Sequence, residues 1–421
     1  MIFALILFFA TYVLMIALPK YRHWVALGSA ALFLVTGILP LSALAGTINW
    51  NVLLMLAGTM GTVSLFIESK MPNRMSDWLL NHSPNVMWAA VLLSVFAGVV
   101  SAFIDNVATV LMIAPVGLAL AKKLGISPVP LLISISVSSN LQGAATLVGD
   151  TTSILLGGYA GMDFLDFFFL DGRFSIFWAV ELGALLTAPV IAWIFRSCRD
   201  KIDRVPLTPV SNYVPTVLLC ANVVLLILAS FLPEKPDLIN GYLCVGICLI
   251  GFLHALLTHH PERVRQAVSE IDLETLLLLT GLFVVIGGIT EAGVIDKISG
   301  LFVQIGGSSL FLMYTILVWG SVLCSAFVDN IPYVATMLPV VAGVAQQMDT
   351  NPMVLYFGLL IGATLGGNIT PIGASANIAA VGILKRNGYG VKNSDFFRIG
   401  IPFTLVAALS GYLYCWLVWA H

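Results

Sequence analysis

Apolar stretches close to twenty residues long, separated by short polar joints, run along nearly the whole chain. About twenty apolar residues are needed to carry a helix through a bilayer, so each stretch predicts a membrane crossing. In the first half these crossings fall at about 2–18, 24–46, 50–67, 128–158 and 174–196. The longest polar connections, near 68–85, 196–213 and 258–272, are too short to fold as soluble domains. The first run has no Lys or Arg before it and no small-residue cleavage site after it, so it reads as a retained helix. The run from 86 to 121 is open to two readings, a pair of crossings or a re-entrant hairpin turning at Asp105 and Asn106.

The pattern occurs twice. An offset of 224 lays SAFIDNVATVLMIAPV, from residue 101, on SAFVDNIPYVATMLPV, from residue 325. The same offset superposes GAATLVGDTTSI, from 143, on GNITPIGASANI, from 367, and an offset of 223 lays INWNVLLMLAG, from 48, on IDLETLLLLTG, from 271. The chain is thus read as two repeats, 1–204 and 205–421, joined by RSCRDKIDRVPLTP. The second repeat carries its own hairpin at about 307–348 and its own broken helix at about 352–384. Pro332 follows the second Asp-Asn pair directly, where proline suits the first turn of a new helix and not a helix interior. With a hairpin, each repeat has five crossings, an odd number, and the second must lie inverted relative to the first. The predicted fold class is an all-α polytopic membrane protein: two inverted repeats of five crossings plus one re-entrant hairpin each, with broken helices at the midplane.

Composition agrees with a lipid environment. Of 421 residues, 59% are hydrophobic and 10% charged, against about a quarter charged in soluble domains. That excludes a nucleic-acid-binding or freely soluble class. Sixteen of the nineteen Lys and Arg fall on the side reached after the first crossing, and only Arg173, Lys235 and Lys297 on the other. The positive-inside rule makes the first side cytoplasmic and places both termini outside, in a multi-pass protein of the inner membrane. Reading each hairpin as two crossings leaves that count unchanged. The six cysteines have no CxxC spacing and read as packing residues, Cys244, Cys248 and Cys324 included, and no cofactor is expected.

Four acids stand at membrane depth: Asp105, Asp150, Glu181 and Asp329. A charged carboxylate at a helix centre costs roughly 3 kcal/mol even on insertion scales, so such groups face protein or a wet cavity. Asp105 and Asp329 could serve as helix caps, a role that Ser or Asn fills at lower desolvation cost, or as a cation or proton site. The segments GAATLVGD and GGNITPIG interrupt apolar helices with glycine and Pro371, freeing backbone groups where only a cavity or a protein interior tolerates them. The candidate site therefore comprises Asp105, Asn106, Thr109, Thr146, Gly149, Asp150, Asp329, Asn330, Asn368, Thr370, Gly373, Ser375 and Asn377, with Asn140 nearby. For the neutral members the alternative is interhelical hydrogen bonding. Asp150 aligns with Ala374, which makes it the asymmetric coupling candidate. Glu181 has no acidic counterpart and could equally serve helix packing. No Lys or Arg is expected beside these acids.

SAFIDN, SAFVDNIPYVATMLP, GAATLVGD and GGNITPIGASAN resemble the ArsB/NhaD branch of the ion transporter superfamily, across both halves. That branch holds arsenite efflux permeases, sodium/proton antiporters and P-protein-like permeases. The resemblance implies a scaffold region, a mobile region with two opposed hairpins, elevator-like alternating access and a homodimer. It also implies a small inorganic substrate with protons as the coupling ion; whether a soluble ATPase assists stays open. Dicarboxylate-carrying relatives have Ser-Asn-Thr at the hairpin tips, where this chain has Asp105 and Asp329, so an anionic substrate is disfavoured. GDTTS at 149–153 departs from the GDPPN of many relatives.

These readings lead to a secondary transporter rather than an enzyme. The preferred activity is proton-coupled antiport exporting arsenite or antimonite, with protons exchanged at Asp105, Asp150 or Asp329. A sodium/proton antiporter is the alternative, in which Asp105 and Asp329 would ligate the metal ion. Intramembrane aspartyl proteolysis is remote, because Leu147 stands where the first glycine of GxGD is required. A passive channel would conduct without proton coupling.

Overall fold

The computed structural model describes residues 1–233, 235–307 and 309–421. Among these, twenty α-helices account for nearly all regular structure, with one two-stranded pairing of Phe169–Leu170 against Arg173–Phe174. Six helices are long and apolar enough to cross a membrane, or up to eight when two bent pairs each count as one span. In chain order the first set is α1 Ile2–Ala17, α2 Arg22–Val35, α3 Leu44–Thr47, α4 Trp50–Glu68, α5 Met71–Asn81, α6 Val86–Ser101, α7 Asn106–Leu124, α8 Val129–Gly143, α9 Thr151–Ala160 and α10 Ile176–Ile194. The second is α11 Val214–Ala229, α12 Ile239–Leu257, α13 Pro261–Glu270, α14 Leu273–Glu291, α15 Val294–Gly306, α16 Leu310–Ser325, α17 Asn330–Gln347, α18 Met353–Gly366, α19 Ser375–Arg386 and α20 Asn393–Trp419.

The elements repeat as the motifs do. Helices α4 to α9 correspond to α14 to α19 at offsets of 223 or 224, and the two sets interlock: α2 packs along α14, and α12 along α4. The predicted hairpins are α6 with α7 and α16 with α17, and the predicted broken helices are α8 with α9 and α18 with α19. The second predicted crossing, 24–46, is shorter than expected. Helix α2 stops at Val35 because Gly37 takes a positive φ of 70° and Pro40 follows, so residues 36–47 form turns and the short α3. The connections at 68–85 and 258–272 contain the short helices α5 and α13, which are too polar to show as apolar runs.

The core sits around the first arm of each broken helix. Every residue from Leu131 to Gly143 in α8 and from Val354 to Gly366 in α18 is buried. Helix α10 packs against α20, and α20 in turn against α8 and α18. Lipid offers no hydrogen-bond partners to the polar residues of these central helices; Ser136, Ser139 and Asn140 find theirs in the protein, while Ser134 Oγ and Gln142 Oε1 are buried without one.

Candidate functional site

Each hairpin turns at its Asp-Asn pair because the aspartate ends one helix and starts the next. The Asp105 carboxylate accepts hydrogen bonds from the backbone N–H of Val107 (3.0 Å) and Ala108 (3.2 Å), capping α7. Asp329 accepts from the N–H of Ile331 (3.1 Å), capping α17, whose first turn contains Pro332. Asp150 likewise caps α9, accepting from Thr151 N–H (2.7 Å) and from the Thr152 hydroxyl (3.1 Å). All three acids thus satisfy orphan amides at helix starts, where the dipole also favours negative charge.

The breaks are stitched to the tips in the same way in both copies. The Thr146 hydroxyl donates to the Ala102 carbonyl, and Thr370, its counterpart, to the Ala326 carbonyl. Gly149 and Gly373 make the close approach possible. A methyl group at Gly149 would lie 2.6 Å from the Gly143 carbonyl oxygen, 2.8 Å from that of Ser101 and 2.9 Å from that of Ala102. At Gly373 it would lie 2.7 Å from the Gly367 oxygen and 2.9 Å from that of Ala326. The two broken helices cross through asparagines. Asn140 donates to the Thr364 carbonyl (2.7 Å) and to Asn368 Oδ1 (3.0 Å), accepts from Asn106 (3.0 Å), and Asn368 donates to the Val137 carbonyl (3.1 Å). Asn377 donates to the carbonyls of Gly367 (2.9 Å) and Thr370 (3.2 Å) and accepts from Ser136. Thr109 is buried, with its hydroxyl 3.5 Å from the Ile104 carbonyl. Much of the neutral set therefore builds the scaffold of the site.

A cavity of about 410 Å³ brings the rest together. Asp105, Asn106, Asp150, Asn330 and Ser375 line it, with Thr59 and Ser64 of α4. So do Glu270, Asp272 and Thr275, at the junction of α13 and α14, which sequence reasoning missed. The signal for Asp272 was its alignment with Asn49: each caps the equivalent helix, but only the second copy is charged. Glu270 and Asp272 are exposed, so the mouth lies at that end. Four carboxylates line this space, and no Lys or Arg is among the lining residues described. Asn330 Nδ2 is buried without a hydrogen-bond partner in the protein. A second cavity of about 840 Å³, lined in part by Asn49, Asn51, Lys235, Asp237 and Glu291, contains neither tip acid.

Asp329 is placed differently. It does not line the cavity, and Arg22 of α2 forms an ion pair with its carboxylate, which also accepts from the Ser375 hydroxyl (3.3 Å). The expectation that no Lys or Arg accompanies the midplane acids is thereby corrected: Arg22 had been counted as a surface residue because it follows Pro19 and Lys20 in a short polar joint. The acid that shares the cavity with Asp105 is Asp150, not Asp329. Glu181, on α10, lines neither cavity. Among the described residues no group of three His, Cys, Asp or Glu side chains has the arrangement of a metal cluster.

A nearly all-helical bundle with six to eight apolar spans, crossed broken helices and an acid-lined interior cavity is the architecture of a polytopic membrane transporter. Residues 12–362 match the CitMHS model, described as citrate transporter, and the chain belongs to that family. It is 30% identical to an uncharacterized transporter of Mycobacterium tuberculosis, over 99% of this chain and 98% of the relative. It is 32% identical to a 46 kDa membrane protein of Mycobacterium leprae over 88% of this chain and 86% of the relative, and 25% identical to the mouse P protein over 94% and 57%. In fold it is similar to the Alcanivorax borkumensis YdaH transporter, with a TM-score of 0.63 at 13% identity over 89% of this chain and 87% of that one. It is also similar to Neisseria gonorrhoeae MtrF, from a class of antimetabolite efflux pumps, with a TM-score of 0.55 at 15% identity over 90% and 82%.

Proposed function

We propose that the chain is a proton-coupled secondary antiporter in which two inverted repeats alternate a common site between the two sides of the inner membrane by an elevator-like motion. The observation that carries this reading is the pairing of Asp105 and Asp150 in one cavity whose described lining has no basic residue. Carboxylates in a desolvated space hold a proton or a cation in preference to standing bare, which is the requirement for exchange. The cavity opens beside Glu270, on the end that the Lys and Arg count assigns to the cytoplasm, so this conformation is the inward-facing one.

The exported solute is arsenous or antimonous acid in this reading. Both are neutral polyhydroxyl species that suit amide, hydroxyl and carboxylate partners. The charge of the cavity supports a second reading, sodium/proton exchange, because four acids without a base attract a cation more strongly than a neutral acid. The family's description brings citrate into consideration as well. A bare citrate trianion would meet four carboxylates, so it would need an accompanying divalent cation to enter.

The test uses the purified chain in liposomes with an internal pH dye, challenged in turn with sodium, lithium, arsenite, antimonite, and citrate with and without magnesium. Proton movement provoked by arsenite and antimonite is the expected result. A response to sodium alone selects the second reading, and uptake of citrate without any proton or cation requirement overturns both.

A further inference from the structure

The two hairpin tips share a sequence and differ in charge. Asp105 faces the cavity with Asp150 and Asp272, whereas Asp329 faces a guanidinium. Arg22 reaches the second tip because α1 and the segment Pro19–Val35 bend by 114° at their junction, which puts the first turn of α2 beside α17. The same unit is fastened to that hairpin by uncharged contacts: the Tyr12 hydroxyl donates to the Pro332 carbonyl (2.8 Å) and contacts Thr336.

The equivalent position in the other repeat can be located from helix packing. Gly281 of α14 lies against Ala26 and Leu27 of α2, and Gly58 of α4 against Cys244 and Val245 of α12. Gly58 and Gly281 are themselves equivalent at the offset of 223, so α2 corresponds to α12 at an offset of 218, which also aligns Gly28 with Gly246. Arg22 then corresponds to Asn240, a buried neutral residue that lines the second cavity. One tip has a resident cation, and the other has none.

We propose that Arg22 is a built-in counter-cation that removes Asp329 from exchange. The exchangeable charge is thereby confined to Asp105 and Asp150, and the charge moved per transport cycle is set by the arginine at position 22. Arginine stays charged under all physiological conditions, so the pairing does not titrate away as a lysine pairing could. Both partners are largely desolvated, with side chains 24% and 16% exposed. Removing either alone leaves an uncompensated buried charge, and removing both does not. Arg22 is a positioning residue in this scheme: it touches no solute and acts only by holding Asp329 out of exchange. The proposal rests on the antiporter reading above.

The experiment measures reversal potentials of transport in liposomes, which give the charge moved per cycle for any solute that the wild type carries. The variants are Arg22→Gln, Asp329→Asn, the double Arg22→Gln/Asp329→Asn, and Tyr12→Phe. Arg22→Gln should raise the charge moved per cycle by one, as the freed Asp329 takes a cation or proton. Asp329→Asn should slow transport by more than about tenfold, and the double variant should recover to within about threefold at the wild-type charge count. Tyr12→Phe, which loosens the same contact without altering charge, should leave that count unchanged. A double variant as slow as Asp329→Asn would make Asp329 itself an ion ligand and overturn the proposal. An unaltered charge count in Arg22→Gln would overturn it too. Should Arg22→Gln fail to reach the membrane, the double variant decides: transport near the wild-type rate and charge count supports the counter-cation, and transport as slow as in Asp329→Asn refutes it. A wild type that transports without moving protons would refute antiport, while the charge counts of the variants would still decide the role of Arg22.

Discussion

The two hairpin tips of this transporter have nearly the same six residues, SAFIDN and SAFVDN, and end in different electrostatic states. At the first, Asp105 caps its helix and looks into a cavity shared with three other acids; at the second, Asp329 caps its helix and is paired with Arg22. Local chemistry is conserved between the copies, down to the threonine that ties each break to its tip. The difference comes from what the rest of the chain brings to each tip. A duplicated backbone thus gives the two tips one local geometry, and residues on neighbouring helices give them different electrostatic surroundings.

That comparison can be broken most decisively at the acids of the cavity. Asp105→Asn and Asp150→Asn should each reduce coupled exchange to the background of protein-free liposomes. No change at Arg22 should rescue them, in contrast to Asp329→Asn, while the protein still inserts and folds. Proton flux alongside size-exclusion behaviour in detergent checks both halves of the statement. Next come the glycines at the breaks. Gly149→Ala and Gly373→Ala both force a methyl group onto backbone carbonyls, and overpacking of this kind costs about 1–3 kcal/mol. Melting temperatures should fall similarly in the two variants, but under the proposal that Asp105 and Asp150 carry the exchange, transport should suffer more in Gly149→Ala.

The crossing of the broken helices offers a smaller test. Asn140→Ala leaves Asn106 and Asn368 short of a partner in a dry interior and should cost about 1–3 kcal/mol of stability. Asn368→Ala should cost a similar amount, and the double variant less than the two added together, because they share one network. The smallest effect belongs to the pair formed by Arg263 of α13 and Glu68 at the end of α4, 2.9 Å apart with side chains 19% and 27% exposed. Arg263→Gln should change stability by no more than about 1 kcal/mol, and less in high salt. A large loss of transport rate without loss of stability in that variant would mean that α13 moves with the cavity.

Much of this architecture was legible in the chain because its signals are short-range. Apolar run length, the Asp-Asn turns, the glycine-rich breaks and Pro332 each act within a few residues, and the repeat offsets of 223 and 224 carry over directly to α4–α9 and α14–α19. Where the reading failed, the cause lay between distant segments. Glu270 and Asp272 read as loop acids, yet the interlocking of α14 with the first repeat brings them to the mouth of the cavity. Arg22 read as one more cytoplasmic charge, and neither the bend after α1 nor a partner 307 residues away leaves a trace in composition. The asparagines show the same limit: a polar residue on an apolar helix signals a buried partner but not which one, and most of them bind other helices.

By itself the sequence determined the solvent, the duplication, the positions of the turns and breaks, and the presence of buried acids, because each follows from burial cost and backbone propensity summed over neighbours. Only the tertiary structure decided which acids share a space and which one is neutralised. Charge interactions depend on distance and desolvation, and those are set by how α2, α12 and α14 pack across the two repeats.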